Sequence, residues 1–209
     1  MRPFFCIDAA KRIIMKKIYL LLAGFILLVG TAKAQSPAKF GLKGGVNVST
    51  FNQTNAEWDS RIGLHVGGMA HIHLAPEWAL QPELLYSQEG AKFSNETVVK
   101  LDYINIPLMV QYMFNNGFRI EAGPQLGFLM NEKYEDEDGE EYEDDDFKST
   151  NVALGLGLNY LSNSGLGVGG RYNLGLSDIS EANGTKIKNN TFQISLFYMF
   201  DNAHKAKSK

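Results

Sequence analysis

The chain has 209 residues, 44% hydrophobic and 21% charged, with a formal net charge of −3. A single cysteine excludes both a disulfide scaffold and a cysteine-ligated zinc site, each of which needs at least two thiols. The one long apolar run, Ile18 to Gly30, has 13 residues, too few for a bilayer-spanning helix of about 20, so a polytopic helical membrane protein is excluded as well.

At the N-terminus, Lys16-Lys17, the apolar run and Ala32-Lys33-Ala34 follow the order of a secretory signal. The reading is a cleaved signal peptide over 1–34, with Met15 as the start. Cys6 lies inside it, so the exported chain must hold together in an oxidising compartment without disulfides. From Gln35 onward there are 14 basic and 22 acidic residues, and eleven of the acids fall between Glu132 and Asp146. The acidity is therefore one local block. No basic face of the kind that binds nucleic acid is left.

Beyond residue 34 the apolar residues repeat every second position, the period of strands with two distinct faces. Eight strands are expected, near 39–49, 61–74, 78–88, 99–114, 118–130, 147–161, 166–176 and 191–200. One face is apolar throughout: Phe40, Leu42 and Val46 in the first strand, Ile62 to Leu74 in the second, Trp78 to Tyr86 in the third, and so on to Phe192, Ile194, Leu196, Tyr198 and Phe200 in the eighth. The other face is polar or small, with eleven glycines among residues such as Asn47, His65, Gln81, Gln111, Asn159 and Gln193. Three prolines, Pro82, Pro107 and Pro124, fall inside strands, where each removes a ladder donor, so bulges or displaced strand ends are expected there.

Two structures give this alternation: a soluble barrel with the apolar face inside, or a membrane barrel with it outside. Three features favour the membrane barrel. Glycines shared with Arg, Glu and Gln suit a narrow lumen. The aromatics Phe40, Trp78, Tyr112, Phe114, Phe118, Tyr160, Tyr198 and Phe200 gather at one end of their strands, as in an interfacial girdle. Short connections near 75–77, 115–117 and 162–165 alternate with long ones near 50–60, 89–98, 131–146 and 177–190, as in outer-membrane barrels. The expected fold is all-β: an eight-stranded antiparallel up-and-down transmembrane β-barrel over 35–200, with a polar periplasmic tail over 201–209.

Four segments in order carry a resemblance: Lys43-Gly44-Gly45-Val46-Asn47; Leu80-Gln81-Pro82-Glu83-Leu84-Leu85-Tyr86-Ser87-Gln88-Glu89-Gly90; Leu101-Asp102-Tyr103-Ile104-Asn105-Ile106-Pro107-Leu108; and Ala122-Gly123-Pro124. Together they resemble the PorT-type outer-membrane β-barrel domain family of Gram-negative bacteria, over about residues 38–200. The resemblance implies an integral outer-membrane barrel. The member that names the family is associated with protein secretion across the outer membrane and the anchoring of surface proteins.

Several constellations bear on chemistry. Lys43, Glu83, Arg119, Glu121 and Arg171 point inward and are read as a lumen charge network, since buried charges must be paired. His65, His71 and His73 share a face of the second strand and are read as polar lumen residues, because no further metal ligand is evident. The acidic loop supplies the weak metal candidates Glu135, Asp136, Asp138, Glu140, Asp144 and Asp145, whose carboxylates suit loose divalent-cation binding. Ser49, Ser87, Ser94 and Ser177 lie near the outer rim, and only His65 stands high enough to serve one of them as a base. No phosphate loop, dinucleotide fingerprint or Gly-x-Ser-x-Gly elbow is present. The expectation is a non-enzymatic envelope protein without a cofactor. It sits among outer-membrane lipid and lipopolysaccharide and meets an envelope protein partner. A lipid-modifying enzyme and a soluble lipocalin-like barrel remain as alternatives.

Overall fold

A computed structural model describes residues 38–53, 58–93, 97–136, 140–142, 146–181 and 186–200. The expected signal peptide and tail lie outside the described residues, as do Ser94, Asp138, Asp144 and Asp145. Nine strands are formed: β1 (Lys39–Gln53), β2 (Asp59–His73), β3 (Trp78–Phe93), β4 (Thr97–Met113), β5 (Phe118–Glu135), β6 (Glu141–Tyr142), β7 (Thr150–Leu161), β8 (Leu166–Gly175) and β9 (Ile187–Met199). Eight make a closed antiparallel ring in the order β4-β3-β2-β1-β9-β8-β7-β5, with β5 returning to β4. The two-residue β6 pairs with the far end of β5. Among the described residues no helix is long and apolar enough to cross a membrane. A closed ring needs none, because every strand finds ladder partners on both sides.

The apolar face lies on the outside. Ile62 is 71% exposed, Leu158 65% and Leu196 63%, whereas Glu83 and Arg171 are 1% and 2% exposed. This arrangement excludes the soluble barrel, whose apolar face would line its interior.

The turns explain how the hairpins register. In all three short turns the carbonyl of the first residue accepts the N–H three residues on, Ala75 from Trp78, Phe114 from Gly117 and Ser162 from Gly165. Gly117 and Gly165 then take φ of 95° and 88°, the left-handed conformation that closes a three-residue hairpin loop and strains any residue with a side chain.

Two expectations are corrected. Register is continuous through Pro82, Pro107 and Pro124, which pair with Leu108, Gln125 and Leu154, so no bulge forms at them. The register shifts lie elsewhere, between Ser60 and His65 and between Asp102 and Tyr103. Each proline forfeits one donor, and the bonds of the surrounding wall hold the alignment.

The strands also run further at the long-loop end than the alternation suggests. Most of the expected loop 89–98 is strand, β1 reaches Gln53, β5 reaches Glu135, and β9 begins at Ile187. The sixth barrel strand begins later, at Thr150, with Phe147 bridging to Ser180 ahead of it. The added length is stabilised by an apolar cluster of Phe51, Ala91, Val99, Leu101, Tyr103, Phe147, Ile179 and Ile187, with Trp58, Leu129 and Tyr134 packed against it. A second cluster of Met69, Leu161, Phe197 and Met199 fills the turn end. The inner face therefore carries its apolar side chains at the two ends, where they share the space with buried polar residues such as His71 and Arg119 at the turns and Glu89 and Asn189 at the long loops.

Candidate functional site

The middle of the lumen holds the charged residues. Glu83 on β3, Glu121 on β5, Arg171 on β8 and Lys43 on β1 all have inward parity and are buried. Arg171 donates through both terminal nitrogens to Glu83, at 2.8 and 2.7 Å, and through Nε to Glu121 at 2.7 Å. Lys43 Nζ lies 3.2 Å from Glu83 Oε2. Gln81 completes the shell of Glu83 at 2.8 Å, and Gln111 donates to Glu121 at 2.8 Å. Two cations and two anions thus neutralise one another in a bidentate, hydrogen-bonded arrangement, the geometry a buried ion pair requires. Arg119 is buried too, nearer the turns in register with Met113 and two residues along β5 from Glu121, whose charge acts on its guanidinium.

A glycine makes the arrangement possible. Glu121, Gly157 and Arg171 form one cross-strand row over β5, β7 and β8. A Cβ on Gly157 would come within 2.8 Å of Glu121 Oε1. With no side chain there, the residues on either side bond across the middle strand.

The same device recurs higher in the lumen, where Ser195, Gly45 and His65 form a row over β9, β1 and β2. A Cβ on Gly45 would run first into the backbone carbonyl of Ile194 and would also meet His65 Cε1 at 2.9 Å. His65 Nε2 lies 2.9 Å from Ser195 Oγ, and its Nδ1 lies 2.7 Å from Asn47 Oδ1. Asn47 Nδ2 donates to Ser87 Oγ at 2.9 Å, and Ser87 Oγ donates to Glu89 Oε1 at 2.8 Å. Five side chains form one chain of hydrogen bonds ending on a carboxylate. Sequence reasoning missed it because Glu89 fell in an expected loop. The serine that meets His65 is Ser195, not one of the rim serines. Ser49 donates to Arg61 O at 3.5 Å, and Ser177 to Asn151 at 3.2 Å. The usable signal was the pairing of the strands flanking Gly45, which sets His65 beside Ser195.

His71 and His73 pack edge to face, with ring centroids 4.7 Å apart. The aromatic residues at the turn end form exposed pairs and rows. Trp78 lies 5.2 Å from Tyr112, Tyr112 5.1 Å from Phe114, Phe118 5.2 Å from Tyr160, and Tyr198 5.9 Å from Phe200. Phe40 is exposed at the same end. A recess of about 700 Å³ bounded by Val110, Tyr112, Leu158, Tyr172 and Phe192 belongs to this outward apolar face.

The crown at the long-loop end is held by carboxylates that bond within it. Glu132 accepts the backbone N–H of Asp146 and of Phe147, at 3.2 and 3.3 Å. Glu135 pairs with Lys100, and Asp136 accepts the N–H of Glu140 at 2.9 Å. Asp178 accepts from Lys148 Nζ at 2.8 Å and from the N–H of Ser180 and Ile187. The bond from Lys148 foremost, with those two N–H groups, holds the Asp178 carboxyl down at about 2. Among the described residues no group of three or more His, Cys, Asp or Glu side chains is arranged to hold a metal.

Known proteins agree with this architecture. The barrel of Ail, the attachment invasion locus protein of Yersinia pestis, superposes with a TM-score of 0.51 at 14% identity, covering 78% of this chain and 99% of that one. Neisserial surface protein A gives 0.52 at 15% identity, with the same coverage. At these identities the likeness is one of fold. No curated protein matches the chain in sequence. The profile of the outer membrane protein beta-barrel domain matches residues 33–181, most of the chain, including the strands that carry the charge cluster. This protein is thus a member of the outer membrane protein beta-barrel domain family, an eight-stranded barrel of the outer membrane.

Proposed function

We propose that this barrel is a non-catalytic interaction or scaffolding protein of the PorT-like kind, exported by a signal peptide over 1–34 and serving secretion or surface assembly through its crown. One observation carries the reading: the lumen is filled. Four charged side chains bond to one another in its middle, and apolar clusters occupy both ends. A filled bore offers solutes no route, since an eight-stranded barrel is only wide enough for its own side chains. Contact with other molecules then falls to the wall, which meets lipid and lipopolysaccharide, and to the crown. Within the crown the acidic stretch 131–146 offers a partner a dense negative surface, where divalent cations bind loosely.

Deleting residues 134–145 tests this. The shortened barrel should keep its boiling-dependent gel shift while losing the envelope proteins that co-purify with it. Co-purification unchanged by the deletion would refute the crown as the contact surface.

A second reading rests on Ser195, His65 and Asn47, which line up in the order of a nucleophile, a base and its orienting group. Ser195 is 2% exposed and His65 2%, so no acyl substrate reaches the hydroxyl without the wall opening. The non-catalytic reading expects no labelling of the folded barrel by a fluorophosphonate probe. Labelling lost on Ser195→Ala would establish the hydrolase instead.

A further inference from the structure

Glu89 is 1% exposed, and among the described residues no basic side chain bonds to its carboxylate. The other inward charges are committed elsewhere: Lys43 and Arg171 lie against Glu83 and Glu121. Arg119 lies in register with Met113, twelve residues along β4 from Leu101, the partner of Glu89. That is about 40 Å at the rise of an extended strand. Arg61 reaches only the backbone carbonyl of Glu89, and the acids acting on its guanidinium are Asp102 and Glu135.

What surrounds the carboxylate is neutral and rich in oxygen. Ser87 and Asn105 donate to Oε1, at 2.8 and 2.7 Å; Asn189 and Thr191 donate to Oε2. Tyr103 stands opposite Ser87 across β3 and β4. Three oxygens of this shell are buried without a hydrogen-bond partner: the Tyr103 hydroxyl, Asn105 Oδ1 and Asn189 Oδ1. A buried carboxyl is normally paired, bound to a metal or neutralised by a proton, and buried polar atoms are normally satisfied. Hard cations take carboxylate, amide-carbonyl and hydroxyl oxygens, six or more at a time.

The geometry points to Glu89 as the anionic ligand of a hard, oxygen-seeking cation of the sodium or calcium class. Ser87, Thr191 and Tyr103 supply neutral hydroxyl oxygens. Asn105 and Asn189 supply amide oxygens once their amide planes turn about the last side-chain bond. The apolar cluster that includes Leu101, Tyr103 and Phe51 lies over the site and shields it from bulk water. Glu132 of the acidic stretch lies in the same cross-strand row, opposite Leu101, and its oxygens accept the N–H groups of Asp146 and Phe147; the other carboxylates of that stretch lie further along β5 and beyond it.

The test uses the full-length barrel extracted in detergent, stripped with chelator and kept in choline chloride. The thermal midpoint of the boiling-dependent gel shift is then measured with sodium chloride or calcium chloride added, against choline at equal ionic strength. The expected result is a rise of about 5 °C with at least one of the two cations, absent in Glu89→Gln and reduced in Tyr103→Phe. The reduced response of Tyr103→Phe stands as the test if Glu89→Gln does not fold. Equal midpoints in all three salts for the wild-type barrel would overturn the proposal. So would a cation response that survives in Glu89→Gln, or one undiminished in Tyr103→Phe, since that response would belong to the acidic loop.

Discussion

The charge cluster around Arg171 and the apolar crown around Phe51 are both buried, but different physics holds them. The cluster sits inside the membrane-spanning ring, where the strands on every side fix the position of each member. Its bonds run between strands distant in sequence, from Arg171 on β8 to Glu83 on β3, and so tie opposite walls together. The crown lies beyond the outward apolar band. There the aromatic side chains pack against one another, with Phe51 5.1 Å from Trp58 and 5.4 Å from Phe147. The outward face of the wall is committed to lipid. Cohesion within the barrel therefore comes from polar bonding in its middle and from ordinary hydrophobic packing only at its ends.

The sharpest way to break this contrast is Arg171→Met. It removes the shared cation that bonds to both Glu83 and Glu121 in a buried setting, leaving Lys43 beside Glu83 and the charge of Arg119 acting on Glu121. A loss of about 3–5 kcal/mol in urea unfolding from detergent micelles is expected. A loss below about 1 kcal/mol would mean that the cluster is solvated and that the lumen is open. Phe51→Ala should cost about 3 kcal/mol, the low end for a buried phenylalanine, because the crown can partly collapse into the space. Its readout separates the regions: Trp58 fluorescence should shift to the red, while the boiling-dependent gel shift of the ring persists. Melting of ring and crown at one midpoint would show that they are a single unit.

A smaller effect comes from pH. The Asp178 carboxyl is held down at about 2, chiefly by the bond from Lys148. A depressed carboxyl stabilises the folded state fully above the ordinary aspartate value near 4, and that contribution is lost as pH falls through about 2. The crown should therefore loosen between about pH 4 and 2, as read by Trp58 fluorescence, and Asp178→Asn should flatten that change. The smallest effect expected is from Tyr112→Phe. It removes the exposed bond from the Tyr112 hydroxyl to Glu77 but keeps the ring contacts of the girdle, and stability should change by less than about 0.5 kcal/mol.

How much of this was legible in the sequence divides along the same line. Ile62, Leu64 and Val66 alternate with Gly63, His65 and Gly67, and that alternation alone distinguishes the faces of β2. The charge cluster was legible as a set of inward residues, but its bonding was not, because it depends on rows such as Glu121, Gly157 and Arg171 that only the register reveals. The crown was hidden. Phe51, Leu101 and Ile187 face inward beyond the band, where an apolar residue no longer signals the lipid side. At the other end Met69 and Met199 flank Gly41 and turn inward among residues read as polar or small. Glu89 was lost with the crown, since a strand extension without outward apolar residues looks like a loop.

A lumen closed by its own side chains passes no ion current. Single-channel recording in planar bilayers reads this, on protein whose folding is established by the boiling-dependent gel shift and whose insertion is established by its resistance to carbonate extraction from the same lipid. The wild-type barrel should give a baseline without conductance steps, and so should Arg171→Met wherever it folds, because the apolar clusters at both ends remain. Steady ohmic steps from the wild-type barrel would contradict that closure and would make the inward charges the lining of a pore.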